Sequence, residues 1–131
     1  MTRPAIRTSD PAAAHEIGDA REQSAAIDRG HLARMTFGDP TLERELLELF
    51  DRQAAMLMVR MRAGGEDAVA PLAHTLKGSA AGVGAVRVAR AADAAEHSAG
   101  RPADESSLAV DRLAKAVDEA RARIAELLRV G

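Results

Sequence analysis

Apolar residues recur along this chain at alternating steps of three and four, and the pattern is most regular near its end. Over about Asp104 to Arg129, Val110, Leu113, Val117, Ala120, Ile124 and Leu127 follow the seam spacing of a helical bundle. Leu42, Leu46, Leu49, Phe50, Leu57 and Met61 repeat in the same way upstream, predicting a long helix that begins after Phe37-Gly38-Asp39-Pro40 and stops at Gly64-Gly65. Asp39 is placed to cap it, with Pro40 at the first helical position. A short helix over Ile27 to Met35 is expected before it, with Asp28 as N-cap. An alanine-rich helix from about Ala85 to Ala99 ends at Gly100-Arg101-Pro102, and Ala89, Ala92 and Ala95 would let it approach its neighbours closely. Met56, Met58 and Met61 read as core gap-fillers rather than as a binding groove.

Between these lies a helix whose two faces differ in kind. At 100° per residue, Val69, Leu72, Ala73, Leu76, Ala80 and Val83 form one apolar stripe, while His74, Lys77, Gly78 and Ala81 fall on the opposite side. Pro71 argues for a start in the later part of the interval Glu66 to Ala70, because proline fits a first turn and breaks an interior one. Glycine inside a helix costs roughly 1 kcal/mol relative to alanine, so Gly78 needs a reason. A tight internal crossing or a helix end would supply one, and so would close approach by another protein.

Four long amphipathic helices with short Gly/Pro-containing connections predict an all-α fold, an antiparallel four-helix bundle with one or two short extra N-terminal helices. Residues 1 to 26 lack sustained apolar periodicity and read as an N-terminal arm or weak helix, leaving the bundle to residues 27 to 131. The length of 131 residues suits one domain, and an aromatic content of 2% with abundant alanine favours closely spaced helices over a β-sandwich. The chain has no cysteine, hence no disulfide framework or thiolate zinc site. No apolar run approaches the ~18 residues of a membrane span, and the N-terminus lacks a secretory core, so the sequence reads as soluble, cytoplasmic and without a membrane partner. A net charge of −2, with neither Trp nor Tyr, argues against nucleic acid as a partner.

The segment Ala73-His74-Thr75-Leu76-Lys77-Gly78-Ser79-Ala80 resembles the histidine phosphotransfer (HPt) family, whose pattern reads approximately H-x-L-K-G-[SA]-[SA]-x-x-x-G. His74, Leu76, Lys77, Gly78, Ser79, Ala80 and Gly84 fill that pattern. Gly38-Asp39 before a long helix carrying Leu46, Leu49 and Phe50 on its inner face, and Glu96 late in a following helix, extend the resemblance over about residues 28 to 128. The resemblance implies a phosphoryl group carried on the distal nitrogen of His74, exchanged with aspartates of response-regulator receiver domains and supplied through an upstream hybrid histidine kinase. It also implies that magnesium (Mg2+) and its acidic ligands belong to the receiver, leaving this chain with no cofactor of its own. Lys77 would compensate the phosphate charge, Gly78 would admit the partner, and Ala70, Pro71, Thr75 and Ala81 are candidate partner contacts.

The absence of a P-loop and of a dinucleotide fingerprint makes the chain a phosphoryl carrier without an ATP site rather than an enzyme. Two other readings stand beside that one: a non-catalytic receiver-binding bundle or inhibitor, and a helical metalloenzyme, which lacks a repeated carboxylate and histidine ligand pattern. His15, His31 and His97 read as surface residues. A complete four-helix core would need no second chain, so a monomer is expected.

Overall fold

The computed structural model describes residues 25–130; the expected arm therefore lies, up to residue 24, outside the described residues. A short helix α1 (Arg29–Met35) precedes four longer ones: α2 (Pro40–Ala63), α3 (Glu66–Val83), α4 (Val86–His97) and α5 (Ala103–Val130). Each long helix packs on the next, and α5 closes against α2, giving the expected all-α four-helix bundle. Among the described residues no helix is long and apolar enough to cross a membrane.

The boundaries follow local chemistry. Asp28 caps α1 by accepting from His31 N–H at 3.0 Å, and Asp39 caps α2 by accepting from Thr41 N–H at 2.9 Å, with Pro40 at its first position. The α3 helix ends in a Schellman motif: Gly84 is left-handed at φ 82°, its N–H bonds to Ala81 C=O, and Ala85 N–H bonds to Ala80 C=O at 2.9 Å. Gly84 is required there for a second reason, since a Cβ at this position would lie 2.7 Å from the Asp28 carbonyl oxygen. The same junction anchors α1, because Asp28 N–H donates to Gly84 C=O at 2.7 Å.

Helix α3 starts at Glu66, earlier than Pro71 suggests. Gly65, at φ 76°, turns the chain sharply into the helix, and Glu66 and Asp67 complement its positive end. Pro71 removes only the donor for the Asp67 carbonyl, and both residues are exposed, so water can hydrate that carbonyl.

The expected seam of α5 faces inward: Val110, Leu113, Val117, Ala120 and Ile124 are buried, and Leu127 packs against them. Helix α2 departs from expectation. Leu49 is 53% exposed, and Leu47 joins Phe50, Ala54, Leu57, Met58 and Met61 in the core. Met56 also faces outward, so the gap-filling role belongs to Met58 and Met61 alone. His31 is half-buried with its Nε2 enclosed, whereas a surface position was expected.

Alanine sets the spacing of α3 and α4. Ala73, Ala80, Ala85, Val88, Ala92 and Ala95 are all fully buried where these helices pack, and small side chains let the backbones come close. Short side chains can therefore meet across this junction. The connection between α1 and α2 is of another kind: Phe37 adopts φ 54° and is 92% exposed. A left-handed conformation costs a non-glycine residue roughly 1–2 kcal/mol.

Candidate functional site

His74 stands on the outer face of α3 with its side chain 68% exposed. Its Nδ1 lies 3.0 Å from Glu96 Oε2 on α4. Lys77, one turn along α3, reaches the same helix: its ammonium sits 3.1 Å from Asp93 Oδ1 and 3.1 Å from Glu96 Oε1. The contact with Asp93 is an aligned hydrogen bond, while that with Glu96 is an ion pair. His97 ends the row, with Nδ1 2.8 Å from the Asp93 carbonyl oxygen and 3.5 Å from its carboxylate.

The charges in this row reinforce one another. The hydrogen bond to Asp93, and then the adjacent Glu96 carboxylate, hold the Lys77 ammonium above its ordinary range. Lys77 in turn holds the carboxyls of Asp93 and Glu96 below theirs, and His74 adds to the effect on Glu96. An ionised Glu96 can only accept, so the proton of a neutral His74 ring belongs on Nδ1 and the free lone pair on Nε2. Because Nδ1 is turned toward α4, Nε2 projects away from that helix.

Lys77 is therefore a partner of Asp93 and Glu96 as well as a neighbour of His74, and it is half-buried. Gly78 is exposed in mid-helix, and a Cβ built on it would meet nothing within 4 Å. Neither a tight internal crossing nor a helix end accounts for it. Pro71, Thr75 and Ala81 are exposed and Ala70 half-buried; the Thr75 hydroxyl donates to the Pro71 carbonyl at 3.1 Å. Asp93 was not singled out from the sequence, and Glu96 entered only through the family resemblance, without a role. Their spacing of three on α4 puts both carboxylates on one face, but only the packed structure sets that face against Lys77.

The other flank of α3 is apolar. Leu46, Leu49 and Gln53 of α2, Met35 of α1, and Gly78 and Gly82 of α3 line a groove of about 260 Å3. A groove of about 500 Å3 between α4 and α5, lined by Arg87, Arg90, Leu108 and Arg112 among others, includes none of these residues. Among the described residues no group of three or more His, Asp or Glu side chains converges as metal ligands.

The family model for the Hpt domain matches residues 41–123, well over half of the chain. No curated protein and no solved structure gives a significant match. The matched segment contains His74, Lys77, Gly78, Asp93 and Glu96.

Proposed function

The chain belongs to the Hpt domain family, a family of phosphocarrier modules in phosphorelays, and on that premise we propose that it carries a phosphoryl group on His74 Nε2 between receiver-domain aspartates. The observation that carries this reading is the exposed imidazole whose Nδ1 is engaged by Glu96, leaving Nε2 as the outward lone pair.

In the forward step Nε2 attacks the phosphorus of an aspartyl phosphate in line. The N–P bond forms as the acyl O–P bond breaks, and the aspartate leaves as a carboxylate. The Nδ1–H bond to Glu96 disperses the positive charge that grows on the ring. Lys77 holds Glu96 in place and lies within a turn of the incoming phosphate oxygens, which it would help to neutralise. Return transfer to a second receiver is the same step reversed. Any charge neutralisation by magnesium would come from the receiver's own residues, and this chain would supply nucleophile, orientation and docking surface. Ala70, Pro71, Thr75 and Ala81 share or flank the helix face of His74 and would serve as contact positions.

The test is phosphotransfer from a phosphorylated receiver domain to the wild-type chain and to His74→Gln. Acid-labile, base-stable label on the wild type alone is expected, with unchanged helical circular dichroism in the variant. Binding of receivers without any label on His74 would move the assignment to a non-catalytic receiver-binding bundle.

A further inference from the structure

We propose that the groove between α4 and α5 receives an acidic amphipathic helix of a protein partner, on a face of the bundle that leaves His74 uncovered.

Each wall of this groove presents one helical stripe. Arg87, Arg90, Ala91 and Ala94 of α4 are spaced i, i+3, i+4 and i+7. Glu105, Leu108, Ala109 and Arg112 of α5 repeat that spacing. Both stripes therefore run along the groove for about two turns, or roughly 10 Å. The apolar part of the lining is thinly filled. Ala91 and Ala109 are half-buried, Ala94 is exposed, and Leu108, itself 50% exposed, supplies the one large apolar side chain.

The charge of the lining runs against that of the chain. The whole sequence carries a net charge of −2, whereas the lining holds three arginines and one glutamate. Internal pairing does not cancel the excess. Arg87 pairs with Glu119 at 3.0 Å and Arg101 with Glu105 at 3.0 Å, and the enlarged set still holds four arginines against two glutamates. The excess is also polarised. Glu105 lies beside the α4–α5 connection, where the Ser98 hydroxyl meets that of Ser106 at 3.4 Å, while Arg87 lies at the far end, where it reaches Glu119.

These features select the occupant. Two packed helices leave a furrow that a third can fill by laying its side chains between theirs, and alanine lets its backbone come close. Apolar residues one turn apart would cover the alanines and Leu108, with Asp and Glu toward the arginine end, where guanidinium forks grip carboxylates. A flat lipid surface would not reach alanines set between two helices, and the lining has no aromatic ring on which bases could stack. A second copy offering the same face would set arginine against arginine. Around α4 the stripe lies about 140° from the direction of Asp93 and Glu96, so this occupant and a partner at His74 can be bound together.

The probe is a synthetic helical peptide of about three heptads with Leu at a and d and Glu at e and g, beside a counterpart carrying Lys for every Glu. Each is titrated into the full-length chain, with amide and His ring signals followed by NMR. The acidic peptide is expected to bind with shifts centred on α4 and α5 and to weaken in added salt, and the basic one should not bind. Arg112→Glu should weaken Kd by on the order of tenfold. Leu108→Lys separates packing from bare attraction, because an added positive charge would tighten a merely electrostatic attachment, whereas loss of the apolar anchor should weaken Kd several-fold. Both positions are exposed, so both variants should melt close to wild type. No saturable binding of the acidic peptide, equal binding of the two peptides, Arg112→Glu within twofold of wild type, or unchanged or tighter binding by Leu108→Lys would overturn the proposal. A chain that ignores the peptide but binds phosphatidylglycerol vesicles through Arg112 would assign the surface to a membrane and overturn it too. The His74 ring signals should stay in place at saturating peptide; their displacement would put the occupant over His74 and end the separation of the two faces.

Discussion

On its α4 side, the His74 helix faces Asp93 and Glu96 across a junction narrowed by buried alanines, and its polar groups there are paired. On its α2 side it faces Met35, Leu46 and Leu49 across bare glycine backbone, and those apolar side chains have no complete cover. One helix thus separates two tasks. The charged flank orients the imidazole, and the apolar flank is only partly covered among the described residues. Stability considerations alone would not build the second flank, since Gly78 costs helix stability and Leu49 remains half in water.

The sharpest way to break this division is to disturb the charged flank without touching the apolar one. Glu96→Gln keeps the shape of the side chain but can offer Nδ1 either an acceptor or a donor, and it removes one of the two carboxylates beside Lys77. Phosphate acceptance should slow by on the order of tenfold, as expected when a reactive imidazole loses its orienting partner. The loss should fall on kcat rather than KM. Ring 15N shifts should show mixed tautomers in place of a single Nδ1–H form. A loss confined to KM would show that Glu96 serves docking, and the two flanks would not be distinct.

The parts of this arrangement differ in how far one sequence discloses them. The inward seam of α5 was legible because a single period dominates it, and the caps at Asp28 and Asp39 because their chemistry is local. In α2 the run Leu46-Leu47-Glu48-Leu49-Phe50 offers apolar residues on several faces, and periodicity alone chose Leu49 where packing chose Leu47. The start of α3 was misjudged because part of the cost of an interior proline, the carbonyl left without a donor, is relieved where water can reach it, and here Pro71 and Asp67 are exposed. His74, Lys77 and Gly78 could be placed on one face from their spacing. The link through Glu96 and Asp93 depends on the rotation of α4 against α3, which no pattern within either helix contains.

A smaller effect, of opposite sign in two measurements, tests the apolar flank. Gly78→Ala removes the conformational cost of glycine, and the added methyl meets nothing, so the fold should gain roughly 0.5–1 kcal/mol. For a domain of this size that raises Tm by about 2–5 °C. Transfer from a receiver should nevertheless become less efficient, and Gly78→Gln should impair it more, through KM. A variant that is both more stable and unimpaired in transfer would mean that the bare surface at Gly78 is not used for approach.

The least effect is expected from pH, because every group in the charged row has access to water and its pairing is screened by salt. Asp93 and Glu96 have folded pKa values below their ordinary 3.8 and 4.5, so their contribution is present above those values and is lost as pH falls through the folded ones. Lys77 has the opposite sign: raised above its ordinary 10.5, it contributes fully below that pH and loses the contribution as pH rises through the higher folded value. The pairing of Lys77 with the two carboxylates is therefore complete between about pH 4.5 and 10.5, and its stabilisation should decline only outside that window. Thermal melts of wild type and Lys77→Met across this range at low ionic strength give the measurement. The difference between them should be flat from pH 5 to 10, narrow below about pH 4 as the carboxylates protonate, and shrink in added salt. A difference that does not narrow as pH falls through the lowered carboxylate range would show that Lys77 contributes through its aliphatic stem and not through the charges that hold Glu96 against His74.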